Sequence, residues 1–355
     1  MRNRWWIHHK MKKFFISSKI KKYQVEFIKN IGLNLKKENK DNIFIIDKFI
    51  NSKINLNRKK IIISSTENEK NFSNLHKVVQ KLLDLKITRE TKIICVGGGV
   101  VQDISSFLSS IIFRGIDWYF YPTTIISQCD SCIGGKTSIN FKGYKNLIGN
   151  FNPPTKIKID TDVLKYLKSK EIISGLGEMA HYFFLSKKNY HFFFDNFHKV
   201  KTNKNILRKF IYQSLEIKKN FIEKDEFDLG TRLILNFGHT FGHAIEKTTN
   251  FKVPHGIAVA HGIQIALFFS KKFGLLNENT YSSMNKNIQR ITKLSTLKKI
   301  NLANFIKNLE KDKKNSKKNF KFILTRGVGA MIVYQISRKT NIKKILEEYF
   351  ITHAS

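Results

Sequence analysis

The sequence predicts an α/β fold: a parallel-sheet domain over residues 1–167, followed by a mainly α-helical domain over residues 168–355. Three observations carry this prediction. Short apolar runs alternate with amphipathic helical patterns in the first half, a Gly-rich turn joins one such run to a helix, and the periodicity is helical almost throughout from Glu171 onward. With 355 residues, 41% of them hydrophobic, the chain has ample material for two buried cores.

In order, Tyr23–Phe27 alternates and reads as a strand. Asn42–Ile46 is a continuous apolar run, as expected of a strand covered on both faces, with Asp47 at its carboxyl end. Lys60–Ile63 is the next strand, followed by a polar turn bearing Glu67 and Lys70 and by a helix from about Asn74 to Leu85. Lys92–Val96 then runs into Gly97, Gly98 and Gly99, with Asp103 just beyond, and a helical pattern continues from Ile104 to Phe113. A glycine turn between strand and helix lets backbone approach a phosphate, and the helix N-terminus favours negative charge. These glycines offer a pyrophosphate seat, although the run is not G-x-G-x-x-G and three glycines also make a tight turn. Trp118–Tyr121 ends on Pro122, Thr123 and Thr124, whose hydroxyls suit helix capping or a ligand. The segment from Asp130 to Asn140 contains Gly134, Gly135 and Lys136. It does not fit the nucleotide-triphosphatase loop, yet it presents amides and an ammonium to an anion, with Lys142, Lys145 and Asn146 as further donors. After Asn152-Pro-Pro154 come a short strand, Lys156–Asp160, and a helical turn ending near Leu167.

The helical half opens with Gly175-Leu-Gly177-Glu178, where Glu178 and His181 share a face of an apolar helix. A carboxylate in such a setting is costly unless paired or metal-bound. Helices follow over Asn203–Lys224 and Arg232–Glu246, the latter carrying His239 and His243 at i, i+4. Such a pair binds a divalent metal when a third ligand arrives from elsewhere; the same spacing also occurs on ordinary amphipathic helices. His255 follows Pro254 in a loop, and His261 lies within an apolar helix over Ile257–Phe269; a strand, Phe320–Leu324, and a closing helix, Ile342–Phe350, complete the pattern. There are no internal repeats.

The formal net charge is +37, but the lysines are scattered in ones and twos rather than gathered in a stripe, so no nucleic-acid partner is expected. The densest basic run, residues 311–318, reads as a solvated loop. The positive field instead concentrates an anionic substrate. Three cysteines, Cys95, Cys129 and Cys132, without a secretory signal argue against a disulfide framework and for a reducing, cytoplasmic setting. No apolar run approaches the roughly 18–20 residues that span a bilayer, so no membrane partner is expected. Residues 1–22 read as a short extension before the first strand.

Taken together and in order, the blocks Gly97-Gly-Gly-Val-Val-Gln-Asp103, Arg114-Gly-Ile-Asp117, Pro122-Thr-Thr124, Asp130-Ser-Cys-Ile-Gly-Gly-Lys136, Lys145-Asn146, Gly175-Leu-Gly-Glu178 and Leu235-Asn-Phe-Gly-His239 through Glu246 resemble the 3-dehydroquinate synthase family, within the sugar-phosphate cyclases. The resemblance runs from about Tyr23 to Gly329. It implies a dinucleotide-binding α/β domain and a helical metal- and substrate-binding domain. The implied cofactors are NAD and a divalent metal, zinc with cobalt as the alternative, and the implied assembly is a homodimer. By position, Glu178, His239 and His255 match the metal ligands. Gly98, Gly99, Asp103, Thr123, Thr124 and Asp130 match cofactor contacts, with Asp47, Glu67 and Lys70 on the nucleoside side. Lys136, His243, Asn236 and Asp130 take the catalytic positions. Asn146, Lys145, His181, Lys218, Arg232 and Lys313 take substrate positions, and Arg114 matches an arginine lent to the neighbouring subunit's site. The implied substrate, 3-deoxy-D-arabino-heptulosonate 7-phosphate, is anionic at both ends, which suits Lys and Arg clamps.

Several positions depart from the family pattern. His181 stands where a phosphate-binding lysine is usual, Tyr166 replaces a threonine, and Ile257 replaces a glutamate. Gln102 and Ser106 replace glycines. A divergent cyclase acting on another phosphorylated sugar or sugar acid is therefore the nearest alternative, and a metal-dependent polyol dehydrogenase the second. Lys218 and Arg232, which match a carboxylate-binding pair, favour the first reading.

Overall fold

The computed structural model describes residues 13–297, 300–310 and 319–352. They form two compact units. One runs to Leu167 and takes in Lys219–Phe227; the other holds Lys168–Lys218 and the chain from Asp228 onward.

The first unit is built on a seven-stranded sheet. Its strands are β1 (Lys13–Ile16), β2 (Tyr23–Phe27), β3 (Ile43–Asp47), β4 (Lys60–Ile63), β5 (Ile93–Gly97) and β6 (Trp118–Pro122). A small hairpin, β7 (Ile139–Phe141) with β8 (Tyr144–Ile148), precedes the last sheet strand, β9 (Lys156–Ile159). The spatial order is β1-β2-β9-β6-β5-β3-β4, antiparallel only between β1 and β2. Residues 43–47, 93–97 and 118–122 are buried at every position, which is why these strands read as continuous apolar runs. β1 lies inside the stretch read as an extension; an edge strand of four residues gives too short a pattern to register.

Four helices accompany this sheet: α1 (Ile31–Lys36), α2 (Lys48–Ile54), α3 (Phe72–Asp84) and α4 (Gly99–Ile111). α4 begins at the glycine turn itself, five residues before the apolar periodicity starts. Lys219–Phe227 belongs here for a polar reason. Glu223 accepts the Ser17 amide at 2.7 Å and Glu226 accepts the Lys19 amide at 2.5 Å, while Phe227 meets Phe151 edge-on.

The second unit contains α5 (Ser169–Phe184), α6 (Lys187–Asn196), α7 (Lys204–Ile222, its end passing into the first unit), α8 (His239–Thr248), α9 (His255–Lys272), α10 (Glu278–Thr292), α11 (Leu302–Glu310) and α12 (Ile342–Thr352). A hairpin of β10 (Asn319–Thr325) and β11 (Met331–Ser337) packs with them. From Gly256 to Ser270, α9 is buried at every position, which makes it the axis of the unit. Phe183 stacks on Phe193 at 4.2 Å between centroids, and Phe210 meets both edge-on, joining α5, α6 and α7. The helix expected over Arg232–Glu246 is broken. Thr231–Asn236 is a 3₁₀ turn, and Gly238, at φ +81°, caps α8. Among the described residues no helix is long and apolar enough to cross a membrane.

Candidate active site

In the first unit, β3 continues to β4 on one side while β5 lies on the other, so the strand order reverses between β3 and β5. In open parallel sheets this switch point is where ligands sit, beyond the carboxyl ends of the strands. Ile46 pairs with Val96, which sets Asp47 beside Gly97 at that edge. Gly97 and Gly98 are dictated by packing. A Cβ on Gly97 would lie 2.7 Å from Val101 Cβ, and one on Gly98 would lie 2.9 Å from Thr124 Cγ2. Gly99 differs, because a Cβ there would meet nothing within 4 Å, leaving open space at the first turn of α4. That opening, at a helix N-terminus, fits a pyrophosphate.

Beside α4, five of the polar residues the sequence singled out, Glu67, Lys70, Asp103, Lys145 and Asn146, form one network. Lys70 Nζ lies 2.7 Å from Asp103 Oδ2, 2.8 Å from Asn146 Oδ1 and 3.1 Å from Ser138 Oγ. Glu67 is within 3.9 Å of Lys70 and 3.6 Å of Lys145. Burial pushes the Asp103 carboxyl above the ordinary carboxylate value, against the opposing charge of Lys70. Asn140 and Ser138 were not singled out. Asn140 donates to Glu67 at 2.8 Å and accepts the Asn146 amide at 2.9 Å, and Ser138 donates to Asp103 at 2.9 Å. Their only sequence signal is position within the loop that follows Lys136. Asp47 spends both oxygens locally, accepting the Ile50 amide at 2.9 Å and the Ser65 hydroxyl. Thr124 caps the next turn through Ser127, and Thr123 donates its amide to Gly97. Asp130 sits half-buried in a π-helical turn, Ser127–Ser131; Lys136 and Arg114 are exposed.

In the second unit, three helices deliver one group each to a single cluster. Glu178 comes from α5, His239 from the first turn of α8, and His255 from the first turn of α9. Glycines make this possible. A Cβ on Gly177 would lie 2.1 Å from Gly256 O, and one on Gly262 would lie 2.1 Å from Gly238 O, so α5, α8 and α9 touch backbone to backbone beside the three side chains. His239 Nε2 is 3.5 Å from Glu178 Oε1, and His255 Nε2 is 3.3 Å from Glu178 Oε2. The opposite ring nitrogens are held as well: His239 Nδ1 lies 3.4 Å from Phe237 O, and His255 Nδ1 lies 3.1 Å from Glu246 Oε2. Glu246 was not given a role by the sequence. Glu178 is 1% exposed, and its Oε2 has no hydrogen bond. Burial raises its carboxyl, but the charges of His239 and His255 outweigh that and hold it well below the usual carboxylate range. His255 is held correspondingly high, the two glutamates overcoming the effect of burial. Two imidazoles with oriented rings and a buried, under-satisfied carboxylate fit a divalent cation.

His243 lies one turn along α8, its ring centroid 5.7 Å from those of both His239 and His255. His181 is also beside the cluster. Its Nδ1 is 2.6 Å from Glu178 O and its ring is 1% exposed, so it is tied to its own helix. His261 stands apart, with Nε2 3.0 Å from Ser295 O. Lys218 and Arg232 are buried, and Asn236 is half-buried, its amide donating to Leu233 O. Lys313 lies outside the described residues.

Residues 60–174 match the family described as 3-dehydroquinate synthase N-terminal, and residues 175–315 match 3-dehydroquinate synthase C-terminal. In structure, the chain is similar to a 2-deoxy-scyllo-inosose synthase complexed with carbaglucose-6-phosphate, NAD and cobalt. The TM-score is 0.85 at 23% identity, covering 95% of this chain and 100% of that one. It is also similar to 2-epi-5-epi-valiolone synthase from Streptomyces hygroscopicus with NAD and zinc bound, at TM-score 0.81 and 20% identity, covering 94% and 96%. The fold is that of these cyclising synthases. In sequence, a 3-dehydroquinate synthase of Helicobacter pylori is 36% identical over 289 residues, 81% of this chain and 83% of that protein. The chain belongs to the 3-dehydroquinate synthase family.

Proposed function

We propose that this chain, acting in aromatic amino-acid biosynthesis, converts 3-deoxy-D-arabino-heptulosonate 7-phosphate into 3-dehydroquinate with release of phosphate, a carbon–oxygen lyase reaction dependent on NAD and zinc. The observation that carries the chemistry is the convergence of Glu178, His239 and His255, each at a glycine-enforced helix crossing. These three hold the metal, with Glu246 orienting His255. Gly98 and Gly99 face the pyrophosphate, with Thr123, Thr124 and Asp130 alongside. Lys70, Asp103 and Glu67 order the nucleoside side around them. Bound metal supplies Lewis acidity toward a substrate oxygen, and bound NAD supplies a hydride acceptor that ends the cycle unchanged. Lys218 and Arg232 clamp the carboxylate. Lys136, Lys145, Asn146, His181 and Lys313 serve the phosphate and hydroxyls, and His243 moves a proton next to the metal with Asn236. Residues 1–167 then act as the nucleotide-binding domain and 168–355 as the metal and substrate domain. Arg114 completes the site of a second copy in a homodimer. Three buried cysteines suit a cytoplasmic enzyme.

The test is incubation of zinc-loaded protein and NAD with the heptulosonate phosphate. Phosphate and dehydroquinate are expected in equal amounts without accumulation of NADH. Turnover of a different sugar phosphate alone would move the assignment to another cyclase, and net NADH would move it to a dehydrogenase. In parallel, His239→Ala is expected to lose its bound metal; wild-type metal content in that variant refutes the ligand set.

A further inference from the structure

A cavity of about 410 Å³ opens in the helical unit between the first turns of α6 and the loop that follows β10. It is lined by Lys187, Tyr190, His191, Arg326 and Gly327, among others, and shares no residue with the metal cluster. We propose that this cavity is a second binding site, for a small organic molecule carrying a phosphate group.

Charge comes first. Two permanent cations, Lys187 and Arg326, face one small cavity whose lining contains no carboxylate, and neither has an ion-pair partner among the described residues. A doubly charged phosphate answers both cations where a single carboxylate would not. His191 adds a ring nitrogen on the same rim. The guanidinium supplies a planar fork suited to phosphate oxygens, and the lysine supplies a point charge.

Tyr190 belongs to the lining as well. Tyr190 is only 3% exposed, and its hydroxyl accepts from Asn287 Nδ2 at 3.0 Å, which leaves its own proton to be given. Burial pushes this phenol up to about 12, so the proton stays on.

The wall is fixed rather than loose. Thr325 Oγ1 donates to Gly327 O at 2.6 Å and accepts the Gly327 amide at 3.0 Å, Arg326 N bonds Ala330 O at 3.0 Å, and Gly329 N bonds Phe184 O at 2.8 Å. Gly327 has φ +140°, and a Cβ there would meet nothing within 4 Å, so the loop keeps the opening clear. The volume falls within the roughly 300–1,000 Å³ of small-molecule sites and leaves room for a carbon skeleton beyond the phosphate.

Calorimetric titration of the full chain, loaded with zinc and NAD, with glycerol 3-phosphate tests this, with inorganic phosphate as the second arm. The wild type is expected to show a binding event whose affinity falls about tenfold or more in Lys187→Gln and in Arg326→Gln. Turnover and melting temperature should be unchanged, since both side chains are exposed. Tyr190→Phe should weaken the same event less. Wild-type titration curves in both charge variants would overturn the site. If both charge variants weaken the event and inorganic phosphate binds more tightly than the monoester, the organic ligand is overturned.

Discussion

Glu246 illustrates what a single residue contributes beside the three proposed metal ligands. Its carboxylate, 3.1 Å from His255 Nδ1, fixes the ring so that Nε2 faces Glu178. Partners of this kind orient a ligand and raise its basicity, and their loss typically costs about 10–100-fold in metal affinity. Glu246→Gln is therefore expected to weaken zinc binding by about that factor, read by competition with a chelator, with the fold intact. Unchanged affinity would show that His255 is oriented by other means. The family resemblance marks His239 and His255 as candidate ligands by position. The sequence does not mark Glu246 as a partner of His255, because the two residues lie nine positions apart on different helices and meet only when α8 and α9 fold together.

At the scale of elements, the sheet was legible because each buried parallel strand is a continuous apolar run. The helical unit was legible as helices, but not in how they break and cross. Arg232–Glu246 looks like one amphipathic segment, and the break at Gly238 follows from tertiary packing, where Val259 O and Ile263 crowd the place a side chain would take. The same packing brings Gly256 against α5. A Cβ there would sit 1.8 Å from Ser174 O, a backbone atom that cannot swing aside. Gly256→Ala is expected to force α9 away from α5, costing on the order of 1–3 kcal/mol of stability. It should also displace His255, so metal affinity falls together with the urea midpoint. A variant that loses stability yet keeps full metal affinity would show that the crossing does not set the ligand geometry.

At the scale of the whole molecule, Arg114 is exposed on a strained turn. Phe113, Arg114 and Gly115 take successive positive φ values of 50°, 68° and 120°, a conformation that non-glycine residues hold only at a cost. The turn leaves Ile111 50% and Phe113 41% exposed beside the arginine. Apolar side chains and a guanidinium held out on a strained turn suit contact with a second copy of the chain, which is how Arg114 would reach the neighbouring site. This makes a quantitative prediction. Arg114→Ala and His239→Ala are each expected to be inactive as separate preparations. In the proposed homodimer, half of the pairs formed when the two are unfolded, mixed and refolded together should hold one chain of each kind. In such a pair, the site with His239 receives Arg114 from its partner and is whole, whereas the other site lacks His239. Activity should therefore return to roughly a quarter of wild type, as twofold symmetry with random pairing requires. If Arg114 served its own chain's site, every site in the mixture would lack one of the two groups, and mixing would restore nothing.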